Sequence, residues 1–137
     1  MKIEISVKRQ KSPDETSYVQ IFNYEGDGNL TVADWLTEVN KNEAKTDRIV
    51  WECGCLEKKC GACAMLVNGY PTLACSVFLK KVAKRGKISL EPFHKFPLIK
   101  DLMVDRSTIF ETMKEMKLWL KEKNPSDYTW DLNLQYK

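Results

Sequence analysis

Residues 55–75 read Cys55-Leu56-Glu57-Lys58-Lys59-Cys60-Gly61-Ala62-Cys63-Ala64-Met65-Leu66-Val67-Asn68-Gly69-Tyr70-Pro71-Thr72-Leu73-Ala74-Cys75, and this stretch decides the fold. Its second half has the form of a hairpin. Ala64 to Val67 is a short apolar strand, and Asn68-Gly69 is the dipeptide of a two-residue turn with both φ angles positive. The return arm ends at Cys75. Upstream, Ile49-Val50-Trp51 is a brief apolar run entering the cysteines, after a polar linker from Asn40 to Thr46. Before that linker the spacing predicts a helix beginning at Thr31. Thr31 and Asp34 form a capping-box pair, Leu30 and Trp35 fit a hydrophobic staple, and Val32, Leu36 and Val39 share one face. Residues 2–9 alternate apolar and polar, with Ile3, Ile5 and Val7 on one side, so they form a half-buried strand. Lys11 to Glu15 is turn chemistry, and Tyr18 to Tyr24 completes a hairpin.

Downstream, Lys87 to Glu91 alternates again and is expected to be the last strand. The basic cluster from Lys80 to Arg85 reads as a solvated edge rather than a docking patch for an acidic partner. Asp105 to Leu120 is expected to form a second helix, with Thr108 and Glu111 as a second capping pair. Ile109, Met113, Met116 and Leu120 make its apolar stripe, the methionines serving as core filler. The tail from Asn124 is expected to be loosely held or wrapped against a partner. Two strands, a helix across them and further strands in a mixed sheet define an α+β plan. Residues 1–105 form the main domain of that plan. Residues 106–137 form an appended helix and tail that serves as a partner-docking extension.

The cysteines fall as Cys55-x4-Cys60-x2-Cys63-x11-Cys75. This spacing matches the plant-type [2Fe–2S] pattern, C-x4-C-x2-C with a distant fourth cysteine. Three thiolates converge from one loop, and the fourth arrives from the adjacent hairpin. Gly61 lies where a Cβ is expected to crowd the folded backbone. Four thiolates, two sulfides and two ferric irons sum to about −2, and one added electron makes about −3, so the loop must supply positive character through peptide N–H groups. Lys58 and Lys59 read first as exposed residues on a protruding turn, and alternatively as groups that raise the potential and meet an acidic or flavin-bearing partner. Zinc is the competing occupant, but four-cysteine zinc sites use two C-x2-4-C pairs held some distance apart. Cys53 is a surplus thiol, read as an unliganded neighbour. His94, the only histidine, reads as a surface or packed residue. No phosphate-cradling glycine loop, nucleophile elbow or recognisable carboxylate pair is present.

Bulk properties narrow the classes. With 43% hydrophobic and 30% charged residues the chain is an ordinary globular one, not a disordered tract. Its 22 Lys and Arg against 19 Asp and Glu leave a net +3, too little and too scattered for nucleic acid. No segment approaches the ~20 apolar residues of a membrane span. The first residues lack the apolar core of a signal peptide, so the expected location is cytoplasmic, alone or at a membrane through a complex. An odd set of five cysteines, all within residues 53–75, argues for metal or redox chemistry rather than a disulfide framework.

Cys60-Gly61-Ala62-Cys63 through Asn68-Gly69, followed by Leu73-Ala74-Cys75, resembles the N-terminal half of the succinate dehydrogenase and fumarate reductase iron–sulfur subunit. Pro97-Leu98-Ile99-Lys100-Asp101-Leu102-Met103-Val104-Asp105 resembles that family's segment between its last strand and the following helix. The cysteine spacing alone is shared with xanthine dehydrogenase-like domains, and the downstream segment separates the two. The resemblance spans about residues 2 to 120. It implies a β-grasp, ferredoxin-like fold and one [2Fe–2S] cluster on Cys55, Cys60, Cys63 and Cys75. It also implies docking to an FAD-containing flavoprotein subunit, with a further iron–sulfur or membrane subunit beyond. The expected role is single-electron transfer, with no substrate chemistry on this chain. A free-standing ferredoxin, or a redox-sensing module using Cys53, is the alternative. The chain departs from the family in having Leu56 where an Arg is usual and Lys58 where a Gly is usual, so the loop backbone near Lys58 is expected to differ. It also lacks the cysteines for the family's [4Fe–4S] and [3Fe–4S] clusters, so either a separate polypeptide is expected to supply the next centre or the electrons leave along another route.

Overall fold

A computed structural model describes residues 1–118. Contacts divide the chain into two compact units, Met1–Asp105 and Arg106–Lys137. In the first, β1 (Lys2–Arg9) and β2 (Tyr18–Glu25) pair antiparallel, with Ile5 opposite Phe22. Helix α1 (Val32–Lys41) follows, then β3 (Ala64–Val67) and β4 (Tyr70–Leu73). A single 3-10 turn (Ala74–Ser76) and the short helix α2 (Leu79–Val82) lead to β5 (Lys87–Glu91). The five strands form one sheet in the order β2-β1-β5-β3-β4. The β1–β5 pair is parallel and the other pairs are antiparallel, so the sheet is mixed, as an α+β β-grasp plan requires.

Period-two alternation explains the core. Ile3, Ile5 and Val7 of β1 and Ile88 and Leu90 of β5 point to one side of the sheet and are buried there. Val32, Leu36 and Val39 form the buried face of α1, as their spacing predicts. Fully burying such side chains stabilises the fold by about 1.5–3 kcal/mol each. Phe22 meets Trp35 edge-on, with ring centroids 5.6 Å apart, so β2 and α1 share an aromatic contact. The start of α1 is capped as expected. The Asp34 N–H donates to Thr31 Oγ1, and the Thr31 N–H donates to Asp34 Oδ2. The same region binds the segment after Cys75, the Val32 N–H donating to Val77 O and the Leu79 N–H to Leu30 O.

The β3–β4 hairpin turns at Asn68 (φ 52°) and Gly69 (φ 80°), the left-handed pair that this dipeptide favours. Asn68 also ties the turn to its neighbours. Its Oδ1 accepts the Ser89 N–H at 2.9 Å, and its Nδ2 donates to Val82 O at 2.7 Å.

Three expectations require correction. β5 is not the last strand, because β6 (Leu98–Lys100) and β7 (Met103–Val104) pair beyond it in a separate two-stranded sheet. Strands of three and two residues are too short to show alternation. In the second unit, α3 (Ser107–Glu115) lacks the Thr108–Glu111 cap; Arg106 stands at the N-cap and supplies no side-chain cap. Ile109, Met113 and Met116 are exposed rather than core filler, and α3 buries none of its residues. Helical spacing marks an apolar face but not what covers it. Leu120 and the tail from Asn124 lie outside the described residues. Among the described residues no helix is long and apolar enough to cross a membrane.

Candidate metal centre

Cys55, Cys60, Cys63 and Cys75 are delivered by two kinds of structure. Cys63 directly precedes β3, and Cys75 lies in the 3-10 turn after β4. The Ala74 N–H donates to Cys63 O at 3.1 Å and closes the two arms on each other. Both cysteines belong to the buried core. The Cys75 N–H points at Cys63 Sγ, 3.5 Å away.

Cys55 and Cys60 sit instead on an irregular loop with no strand to support it. Within it Leu56 (φ 56°), Lys58 (φ 64°) and Gly61 (φ 77°) all adopt the left-handed conformation. Those bends turn peptide N–H groups inward. Cys55 Sγ accepts from the N–H groups of Glu57 at 3.2 Å, Cys60 at 3.3 Å and Lys59 at 3.4 Å. Cys60 Sγ accepts from Cys55 at 3.3 Å and Ala62 at 3.4 Å. Three aligned donors explain the acidity of Cys55: the Glu57 N–H above all, then those of Cys60 and Lys59, lower its pKa to about 7. Burial pushes the Cys63 thiol the other way, above its ordinary value.

The thiols therefore meet as two pairs, Cys55 with Cys60 and Cys63 with Cys75. Among the described residues no three His, Cys, Asp or Glu side chains gather as a single metal-binding group. Two pairs suit two irons better than one tetrahedral zinc, which needs all four sulfurs around a single point. Gly54 constrains the same loop. A Cβ there would lie 2.9 Å from Cys60 Sγ, closer than real Cβ contacts allow. The cradle thus depends on a bare backbone at Gly54.

The expected role of Gly61 needs correcting. A Cβ at Gly61 meets no atom within 4 Å, so its positive φ, not crowding, favours glycine there. The φ of Lys58, 64°, is the conformation in which glycine is at ease, so the backbone is bent there despite the side chain. Lys58 and Lys59 are exposed, and Lys59 pairs with Glu57 at 3.5 Å. Cys53 is exposed and takes part in neither thiol pair. His94 is exposed and bonds Glu91 at 3.1 Å, away from any reactive cluster.

One functional group was missed in the sequence. Arg9 and Asp101 are buried and bonded, Nε to Oδ1 at 3.0 Å. The signal was available: Arg9 continues the inward face of Ile3, Ile5 and Val7, where an apolar residue belongs.

A mixed sheet carrying paired cysteines on a tight loop and an adjacent hairpin defines a ferredoxin-like iron–sulfur domain. Residues 4–111 match the model of the 2Fe-2S iron-sulfur cluster binding domain, and the chain belongs to that family. It is 36% identical over 135 residues to the succinate dehydrogenase iron-sulfur subunit of Bacillus subtilis, spanning 95% of this chain and 51% of that protein. It is also 36% identical over 89 residues to the fumarate reductase iron-sulfur subunit of Mycobacterium tuberculosis, spanning 65% of this chain and 35% of the relative. A chain of the Mycobacterium smegmatis Sdh1 complex in the apo form shares the fold. Its TM-score is 0.78 at 20% identity, covering 96% of this chain and 54% of that one. The chain spans about half the length of the Bacillus relative it matches, and less of the other.

Proposed function

We propose that Cys55, Cys60, Cys63 and Cys75 hold the [2Fe–2S] cluster, Cys55 and Cys60 on one iron and Cys63 and Cys75 on the other. The observation that carries this reading is the pairing of the thiols, with peptide N–H groups already aimed at three of the sulfurs. When bound, the cluster supplies one-electron chemistry: it takes up and releases a single electron. The protein supplies the rest. The N–H groups of Glu57, Lys59, Cys60 and Ala62 offset negative charge on the exposed pair, which eases the extra charge of the reduced state. The core around Cys63 and Cys75 keeps water from the other pair. The partly exposed Cys55 and Cys60 mark the side where a redox partner approaches.

The relatives support a specific setting. The chain serves as the electron-transfer part of a succinate dehydrogenase- or fumarate reductase-like assembly, with FAD on a flavoprotein partner and further iron–sulfur or membrane subunits beyond. Residues 106–137 are its docking extension, and the working location is the cytoplasm, at a membrane through the complex. No acid substrate binds this chain.

Anaerobic affinity purification of the full chain from its native cell tests the proposal. The expected eluate holds about two irons and two sulfides per chain, one S = 1/2 signal after dithionite, and FAD on a second polypeptide. Colourless protein with one zinc per chain would sink the cluster assignment. An intact cluster with no flavin would sink the assembly and favour a free-standing ferredoxin.

A further inference from the structure

The segment that enters the cysteine loop from its N-terminal side behaves like a strand, yet no strand pairs with it. Residues 47–50 precede Cys55 by only a few positions and belong to none of the strands. Irregular backbone that enters the core, as it does at the buried Ile49, needs partners for its polar groups, and here they come from three separate parts of the fold. Arg9 Nη2 donates to Asp47 O and Arg48 O, both at 3.2 Å. Asn40, in the last turn of α1, grips Ile49 on both sides. Its Oδ1 accepts the Ile49 N–H at 2.7 Å, and its Nδ2 donates to Ile49 O at 2.9 Å. Asp101, in the β6–β7 turn, accepts the Val50 N–H on Oδ2 at 2.9 Å, and the Leu102 N–H donates to Val50 O at 3.0 Å. Four consecutive carbonyls and two N–H groups are thus satisfied, mostly by side chains.

Asp101 is built for this task. Its other oxygen, Oδ1, accepts from Arg9 Nε and from the Gln10 N–H, both at 3.0 Å. Its own N–H donates to Gln10 O at 2.8 Å, and its φ of 48° turns the chain sharply there. Asp101 and Arg9 are each 1% exposed and the bond between them is buried, where leaving it unmade is expensive. The end of β1, the end of α1 and the β6–β7 turn therefore all converge on residues 47–50.

We propose that Asn40 and Asp101 are positioning residues for the exposed half of the metal site. Acting through the backbone of Ile49 and Val50, they fix where the loop bearing Cys55 and Cys60 leaves the core. Cys63 and Cys75 need no such aid, because the β3–β4 hairpin places them. The inference rests on the ligand assignment proposed above.

The test uses the full chain with its cluster, in three variants: Asn40→Ala, Asp101→Asn and Asp34→Ala. Asp34→Ala is the control, since it breaks the α1 cap without touching residues 47–50. The readouts are the half-time of cluster loss to an iron chelator, the line shape of the reduced EPR signal, and urea unfolding of the cluster-free protein. Asn40→Ala and Asp101→Asn are expected to shorten the half-time about five-fold or more, the effect of losing at least one partly buried hydrogen bond. Both are expected to change the EPR line shape, whereas Asp34→Ala leaves half-time and line shape as in the unaltered chain. Should Asp101→Asn fail to fold, Asn40→Ala decides alone, because alanine favours the helix it sits in. Unchanged half-times and spectra in Asn40→Ala would overturn the proposal. So would an equal acceleration in Asp34→Ala, which would reduce the effect to general stability. Failure of the ligand assignment looks different: the unaltered chain would then hold no cluster, or would keep one when any of the four cysteines is replaced by serine.

Discussion

Cys63 and Cys75 are 3% and 7% exposed and are placed by strand pairing; Cys55 and Cys60 stand on a loop outside the core, held by bent backbone and its own peptide N–H groups. Two solutions to one chemical problem thus sit side by side. The buried pair gains rigidity from the core, and Cys63 gives up acidity there, since burial disfavours the thiolate. Cys55, on the loop, gains acidity from peptide dipoles, at the expense of left-handed residues that only glycine adopts freely. One half of the site comes with the fold, and the other is assembled by local backbone geometry.

The largest expected effect that sharpens this contrast is at Gly54. Gly54→Ala places a Cβ 2.9 Å from Cys60 Sγ, a sulfur already fixed by two N–H groups. Overpacking of this kind costs about 1–3 kcal/mol, so reconstituted protein should hold several-fold less iron. Full iron content in Gly54→Ala would mean the loop yields easily, and the contrast would weaken.

Serine replacements divide the halves next. Cys55→Ser and Cys63→Ser should both prevent normal cluster assembly. In cluster-free protein, however, Cys63→Ser should lose about 1–3 kcal/mol to urea, because it buries a hydroxyl. Cys55→Ser should stay within about 0.5 kcal/mol, as surface changes do. Equal losses would remove the distinction.

Acidity gives a third, smaller difference. In cluster-free protein the Cys55 alkylation rate should reach half its maximum near pH 7, where the lowered pKa of about 7 makes it half thiolate. Cys63 should react only above the ordinary thiol value of 9.0. The sign for stability follows. Raised in the fold, Cys63 stays protonated while the unfolded chain ionises, so the cluster-free protein should lose stability as pH climbs past 9.0. Mass-resolved alkylation across pH 6–10 (roughly the span of the two thiols) checks both, and identical profiles would refute the electrostatic contrast.

The smallest effect is at Lys58. Lys58→Gly relieves a left-handed lysine with φ 64° and should stabilise the loop by about 1 kcal/mol, slowing chelator-driven cluster loss a few-fold. Acceleration instead would show that the lysine side chain holds the loop.

Much of this arrangement is legible in the sequence, for local reasons. Alternation at Ile3, Ile5 and Val7, the Thr31–Asp34 cap and the Asn68-Gly69 turn each encode their structure within a few residues. The cysteine spacing fixes which residues are candidates. What stays hidden depends on partners distant in the chain. Asp101 shows no local sign of burial, yet it is buried where Arg9, 92 residues earlier, meets it. Asn40 reads as the start of a polar linker, whereas its amide caps the backbone of Ile49. The stripe of α3 shows the converse, since its apolar spacing could not say that Met113 and Met116 would be exposed.

The parallel pairing of β1 with β5 has a consequence for how the protein is made. The β1–β2 hairpin can form as soon as residue 25 leaves the ribosome, but the other edge of β1 must wait for residues 87–91. At a synthesis rate of about 5–20 residues per second that edge stays open for several seconds. Asp101 and Leu102 emerge later still, so the base of the cysteine loop is pinned only after the sheet can close. A nascent chain therefore displays Cys55 and Cys60 before Asp101 is there to bond the Val50 N–H.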